Sequence, residues 1–303
     1  MLNESDIKKV KAQGFLRNRG TENFSGRVIT ENGVLTAAEV RTICEAAQLY
    51  GNGNVSFTSR LTVEVPGIPF EKIPEFQAYI AKAGLVTGGT GPKVRPVVAC
   101  KGTTCVFGLY DTQALAKEIH DRFYVGYHDV TLPHKFKIAC GGCPNNCVKP
   151  DLNDLGIIGQ RPPKFDEAAC RSCKKCIVAE KCPMKAITRE NGGMPVIHPD
   201  ICNNCGRCAD KCPFHAFGEG EVRYRVYVGG RWGKKVHIGE PLSRLFTKDE
   251  LLDIVEKSIL LFKREGAAGE RFSDTLGRIG MTRVEELLFS DELPAQKGEI
   301  LSK

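Results

Sequence analysis

Residues 170–183 read Cys170-Arg-Ser-Cys173-Lys-Lys-Cys176-Ile-Val-Ala-Glu-Lys-Cys182-Pro183, and residues 202–213 read Cys202-Asn-Asn-Cys205-Gly-Arg-Cys208-Ala-Asp-Lys-Cys212-Pro213. Each run sets three thiols at x2 spacing and a fourth just before a proline. That pattern holds two [4Fe–4S] cubes in tandem: three cysteines of a run grip one cube and the fourth crosses to the other. The expected ligand sets are Cys170, Cys173, Cys176 and Cys212 for the first cube, and Cys202, Cys205, Cys208 and Cys182 for the second. Four thiolates also suit zinc, but the triple x2 spacing with a distant Cys-Pro favours cubes. Two such cubes pass single electrons and bind no substrate, so the rest of the chain is expected to hold what receives them.

Outward from these runs, all but two of the remaining cysteines form a second kind of set. Cys100-x4-Cys105 and Cys143-x3-Cys147 lie far apart, and only tertiary folding could join them. Of the other two, Cys44 is read as a buried, inert thiol on the apolar face of a helix. Cys140 is read as a strand residue rather than a ligand. The 303 residues are 42% hydrophobic and 26% charged, an ordinary balance for a chain with a real core and two or three modules. No apolar run approaches bilayer length, and the opening MLNESDIKKVKAQ carries no signal-peptide core. Thiolates awaiting iron also need a reducing compartment, so a cytoplasmic location is expected. A formal charge of +7 without a long basic block, and with one Trp and seven Tyr, argues against nucleic acid and for a few cations gathered at an anionic ligand.

Hydrophobic period and turn residues divide the rest. Residues 27–30 read as a strand. Thr36-Ala-Ala-Glu39 is a capping box opening a helix whose face carries Val40, Ile43, Cys44 and Ala47. Residues 55–57 and 61–65 alternate as paired strands, and residues 74–83 form a helix with proline in its first turn. A last strand would complete a split βαβ, ferredoxin-like half-domain over residues 1–91. An α/β domain follows over residues 92–164 and 219–303, with strands at 97–99, 136–139 and 222–228. Its helices are expected at 114–123 and after a second capping box, Thr247-Lys-Asp-Glu250. Residues 165–218 are then an inserted two-cluster bacterial ferredoxin domain, held mainly by metal. The expected class is α+β.

Residues 132–156 read Leu-Pro-His-Lys-Phe-Lys-Ile-Ala-Cys-Gly-Gly-Cys-Pro-Asn-Asn-Cys-Val-Lys-Pro-Asp-Leu-Asn-Asp-Leu-Gly. With Thr58-x-Arg60, residues 95–105 and the Gly229-Gly230 turn, this stretch resembles the sirohaem-containing sulfite and nitrite reductases. The likeness is nearest to the dissimilatory type and to the catalytic subunit of the anaerobic sulfite reductase. The resemblance implies a third [4Fe–4S] cluster on Cys100, Cys105, Cys143 and Cys147, with Cys147 bridging to the sirohaem iron. Cys-Pro-Asn-Asn-Cys fits that frame without Cys140. It also implies that Arg60, Arg95, Lys135 and Lys137 hold a small oxyanion and pass protons to it, work for which fixed cations suit. Alternation along a strand would point both lysines to one face. Sirohaem is a polycarboxylate, and Arg27, Lys101, Arg231 and Lys234 are the candidates to meet its carboxylates.

The implied reaction is the six-electron reduction of sulfite to sulfide; nitrite to ammonia is the alternative, and a non-catalytic electron-transfer subunit is the reading from another class. The implied partners are a second copy of the chain, as a homodimer or higher oligomer, and a donor such as ferredoxin or flavin and iron–sulfur subunits.

Overall fold

The computed structural model describes residues 2–189 and 192–302. Helix α1 (Glu4–Ala12) leads into strands β1 (Phe15–Arg17) and β2 (Phe24–Val28), then α2 (Ala37–Tyr50), β3 (Ser56–Phe57), β4 (Val63–Ile68) and α3 (Ile73–Ala81). The strands form one antiparallel sheet in the order β1-β2-β4-β3. Phe15, Phe24, Val65, Ile68, Phe76 and Ile80 are fully buried between sheet and helices. The Thr36–Glu39 capping box forms, each partner satisfying the other's backbone N–H.

The structure corrects three expectations in this half. The strand before the first helix ends at Val28, and β1, too short to show a period, precedes it. The expected closing strand reduces to one bridge, Val28 to Thr87, because Gly88-Gly89 turns the chain away. The buried stripe of α2 is Ile43, Ala46 and Ala47, rotated from the expected face: Val40 is 41% exposed and Cys44 is exposed, not buried. Alanines carry so little apolar surface that they did not fix the phase of the stripe.

The second layer is a five-stranded sheet, order β13-β12-β7-β6-β5. It uses β5 (Val98–Ala99), helix α4 (Thr112–Ile119), β6 (Ile138–Gly141) and β7 (Leu155–Gln160). Strands β5, β6 and β7 run parallel, and every residue of β7 is buried, as befits a central strand covered on both faces. After β7 the chain leaves the sheet. It forms β8 (Lys164–Phe165), α5 (Ile177–Lys181), β9 (Ile187–Arg189), β10 (Pro195–Ile197) and β11 (Phe217–Gly218), and re-enters as β12 (Arg223–Val228), antiparallel to β7 with Arg223 opposite Gln160. Residues 161–222 are thus an excursion between two paired neighbours, slightly wider than the expected 165–218. Its small core is Val178, Ile187, Ala216 and Phe217, against which Cys170, Cys176, Cys182, Cys208 and Cys212 pack.

Strand β13 (Glu240–Pro241) edges the sheet. The long helix α6 (Lys248–Glu265), opened by the Thr247–Glu250 capping box, covers it with Leu251, Ile254, Val255, Ile259 and Phe262. Helices α7 (Phe272–Ile279), α8 (Met281–Phe289), α9 (Glu292–Ala295) and α10 (Lys297–Ser302) complete the core and were not anticipated from the sequence. Among the described residues, no helix is long and apolar enough to cross a membrane.

Candidate active site

A cavity of about 370 Å³ opens where the two layers meet. Six cationic side chains line it: Lys11, Arg27, Arg60, Arg95, Lys135 and Lys137; among the described residues no carboxylate does. The fold delivers them from separate segments. Arg60 sits in the turn between β3 and β4, beside Thr58, whose hydroxyl lies 2.7 Å from that of Thr62. Arg95 lies just before β5. Lys135 and Lys137 flank buried Phe136 just ahead of β6, so alternation puts both on one side, facing the cavity.

Burial and mutual repulsion mark these cations. Desolvation, then the charges of Arg95 and Arg27, lower the Arg60 pKa to about 10 against the help of Asp154. Arg95 is likewise lowered to about 10 by burial and by Arg27. Lys137 falls to about 8, through burial and then Arg60 and Lys135, and Lys135 is lowered chiefly by burial and Arg271. Both arginines stay charged at neutral pH, while Lys137 is poised to give up a proton near it. The Nε atoms of Arg60 and Arg95 are buried with no partner among the described residues. An anion in the cavity would relieve both penalties at once.

Arg27 is ion-paired with Glu64, Nη2 to Oε1 at 2.6 Å, and donates Nη1 to the Gly89 carbonyl. Lys101, Arg231 and Lys234 do not line the cavity. Arg231 is ion-paired with Asp274 at 3.0 Å, and Lys101 and Lys234 are exposed.

Beneath the cations lies one buried ion pair that the sequence reading missed. Asp154, fully buried, accepts from Arg271 Nη2 at 3.0 and 3.2 Å and from the Lys137 backbone N–H at 2.9 Å. Burial raises its pKa, with Arg271 and the Lys137 N–H opposing. Asn153 beside it accepts from Arg60 Nη1 at 2.9 Å.

The turn after Cys143 packs against this floor. Burial raises the Cys143 thiol pKa against the Asn145 backbone N–H, and the thiols of Cys100, Cys147 and Cys105 raise it further. The Cys100 sulfur also accepts from the Gly142 N–H at 3.1 Å. Cys140 is fully buried in strand β6, its sulfur among the apolar core and its pKa pushed up by burial. Gly230 backs the same turn. A Cβ there would fall far inside van der Waals contact of the Asp151 and Asn153 carbonyl oxygens. Gly230→Ala is therefore expected to cost about 1–3 kcal/mol from overpacking, read as a lowered thermal midpoint; an unchanged midpoint would refute the close fit.

In the excursion, Cys170, Cys173, Cys176 and Cys212 line one cavity of about 160 Å³. Cys182, Cys202, Cys205 and Cys208 line a second, and Cys182 and Cys205 bear electrostatically on Cys202 and Cys208. The fourth cysteine of each run thus lies with the other run's triplet. A further cleft of about 480 Å³ has Cys143 and Cys205 on its walls, with Arg207 over the Phe107 ring at 4.4 Å. Among the described residues, no three His, Cys, Asp or Glu side chains form a single-ion site.

Two family profiles match the chain. The family profile described as the nitrite and sulphite reductase 4Fe–4S domain matches residues 90–297, and that of the nitrite/sulfite reductase ferredoxin-like half domain matches residues 17–83. The chain belongs to the nitrite and sulfite reductase family. It is 35% identical to the coenzyme F420-dependent sulfite reductase of Methanocaldococcus jannaschii over 82% of its own length, but spans only 40% of that enzyme. It is 28% identical to a subunit of the anaerobic sulfite reductase of Salmonella typhimurium, covering 88% of this chain and 82% of that one. The crystal structure of dissimilatory sulfite reductase I shares its fold, with a TM-score of 0.70 at 23% identity over 88% of this chain and 69% of that one. So does the Mycobacterium tuberculosis NirA protein, with a TM-score of 0.69 at 17% identity over 97% of this chain and 48% of that one. This family member accordingly has the two-domain plan of the nitrite and sulfite reductases, a ferredoxin-like half domain followed by a 4Fe–4S domain.

Proposed function

We propose that this chain reduces sulfite to sulfide at a sirohaem coupled to a [4Fe–4S] cluster, with electrons arriving through two further clusters in residues 161–222. The observation that carries the reading is the cavity on which Arg60, Arg95, Lys135 and Lys137 converge, lined by no carboxylate among the described residues. Sulfite is preferred to nitrite because the archaeal enzyme and the Salmonella subunit, matched over 82% and 88% of this chain, are both named as sulfite reductases.

The residues fit the cofactor. The buried Nε atoms of Arg60 and Arg95 lack a partner among the described residues, a polycarboxylate needs cations, and the thiols of Cys100, Cys147 and Cys105 bear on that of Cys143. Cys100, Cys105, Cys143 and Cys147 would hold the coupled cluster, with Cys147 the bridge to the sirohaem iron. Arg27 at the cavity wall would meet carboxylates; Lys101, Arg231 and Lys234 are carried as further candidates by their motif positions alone. When bound, sirohaem supplies an iron that takes the anion and feeds it electrons. Arg60 and Arg95 hold the anion's charge, and Lys135 and Lys137 neutralise it and deliver the protons with which its oxygens leave as water.

Electrons are assigned an inward order. The cube on Cys182, Cys202, Cys205 and Cys208 is the inner one, because Cys205 shares a cleft with Cys143. Cys170, Cys173, Cys176 and Cys212 would hold the outer cube, toward a donor such as a ferredoxin or a flavin and iron–sulfur subunit. A second copy of the chain is proposed as a partner, since relatives such as the Salmonella typhimurium protein are named as subunits.

Anaerobically purified protein tests the reading. Sirohaem bands together with iron and sulfide near twelve per chain, for three four-iron cubes, and sulfite turnover with a reduced viologen dye are expected. An iron–sulfur spectrum without tetrapyrrole bands would leave only an electron conductor.

A further inference from the structure

Residues 149–155 do more than carry the chain into β7. Asn153 is 9% exposed and uses both ends of its carboxamide. Its Oδ1 accepts from Arg60 Nη1 at 2.9 Å, and its Nδ2 donates to the Lys149 carbonyl at 3.0 Å. Lys149 lies two residues beyond Cys147 in a left-handed conformation (φ 49°), its own N–H donating to the Asn146 carbonyl at 2.9 Å. One amide group therefore joins the half-buried Arg60 guanidinium to the turn that carries Cys147.

Arg60 has two other acceptors, the carbonyls of Pro96 at 2.8 Å and Ile138 at 3.3 Å. Both are backbone groups, so Asn153 is the one side chain in the set. Asparagine is well chosen for the task, being a short neutral residue that can accept from a guanidinium and donate to a carbonyl in the same plane. A carboxylate could do the first but not the second. The next residues extend the same frame: Asp154 accepts from the Lys137 N–H, and the Leu155 N–H donates to the Lys137 carbonyl at 3.0 Å.

We propose that Asn153 is a positioning residue that sets the Arg60 guanidinium at a fixed place relative to the Cys147 turn, so that the arginine and the cluster loop address one anion from a common frame. This inference rests on the proposed role of the cavity in holding a small oxyanion. It assigns Asn153 no contact with that anion.

Two substitutions in the holoenzyme separate the two ends of the amide. Asn153→Leu keeps the size and removes both bonds; Asn153→Asp keeps an acceptor for Arg60 and loses the donor to Lys149. Asn153→Leu is expected to raise the KM for sulfite about tenfold, the scale of one charge-assisted hydrogen bond. It should also shrink the rise in melting temperature that sulfite gives the oxidised protein. Asn153→Asp is expected to keep KM within about threefold and retain that rise while lowering kcat, because only the tie to the turn is lost. Should Asn153→Leu not fold, Asn153→Thr, too short for either bond, takes its place. The role is overturned if Asn153→Leu leaves KM and the sulfite-induced rise as in the wild type. It is equally overturned if both variants lose them alike along with thermal stability in buffer alone. A wild type whose melting temperature ignores sulfite would instead reject the anion cavity itself, and this role with it.

Discussion

Lys137→Met is expected to cut sulfite turnover by roughly 10²–10³-fold and, in the same protein, to raise the stability of the fold. The two effects have one origin. Burial, Arg60 and Lys135 hold the Lys137 ammonium at a pKa of about 8. A lysine so placed is a competent proton donor near neutral pH, and its loss removes both a proton and a charge that faces the anion. The same depression means that the charged form is disfavoured in the fold. Below pH 8 the wild type bears the whole cost; between 8 and the ordinary lysine value near 10.5 the cost fades; above that it is gone. Methionine, similar in length and uncharged, removes it, and a gain of about 1–2 kcal/mol in urea unfolding at pH 7 is expected after allowance for solvent that still reaches the ammonium.

The pH–rate profile distinguishes this role from a general loss of positive charge. Wild-type turnover with a reduced viologen should fall as pH rises through about 8, where Lys137 deprotonates. Lys135→Met should lower the rate but move that limb to higher pH, because Lys135 is one of the charges that depress Lys137. Lys137→Met should be slow and lack the limb. A Lys137→Met enzyme with wild-type rate, or with the same limb, would take Lys137 out of the proton path.

What the sequence disclosed and what it hid follow from the range of each signal. Capping boxes at Thr36 and Thr247 are local, and both helices start where those residues say. Cysteine spacing within a run is local too, and the Lys-x-Lys alternation needs only a strand; Arg60 and Arg95 were reached through motifs, not period. The register of α2 was misread because Ala46 and Ala47 contribute little to a hydrophobic pattern. Strand β1 was missed because three residues show no period, and the helix expected at 114–123 changes to π-helical winding over His120–Val125, which hydrophobic period does not signal. Asn153 and Asp154 stood in the quoted Leu-Asn-Asp-Leu-Gly, but their meaning lies in partners 93 and 117 residues away, Arg60 and Arg271. Two polar residues before a buried strand were the available signal: a polar pair that the fold must bury has to find partners.

Asp154→Asn, which replaces one oxygen by NH2, should be the most destabilising single change at the site, by about 3–5 kcal/mol in urea unfolding. Arg271 is 8% exposed and its partner 0%, so neutralising the aspartate strands a guanidinium away from water. The Lys137 N–H also loses a charged acceptor. Depth alone does not make such a pair stabilising: replacing both partners with apolar residues of like volume is often neutral or favourable. The double variant Asp154→Leu, Arg271→Met is accordingly expected to recover most of the stability that Asp154→Asn loses. It should not recover function. Asp154 is a buried negative charge that raises the pKa values of Arg60, Arg95, Lys135 and Lys137 together. Without it Lys137 should lose its proton at lower pH, although removal of the Arg271 charge, which lowers Lys137 less than Asp154 raises it, offsets part of that shift. A double variant that folds stably, binds sulfite poorly and turns over with its alkaline limb displaced downward would show that the pair is retained to set the charge and posture of the cations above it. Wild-type sulfite affinity in that variant would reduce the pair to a structural contact.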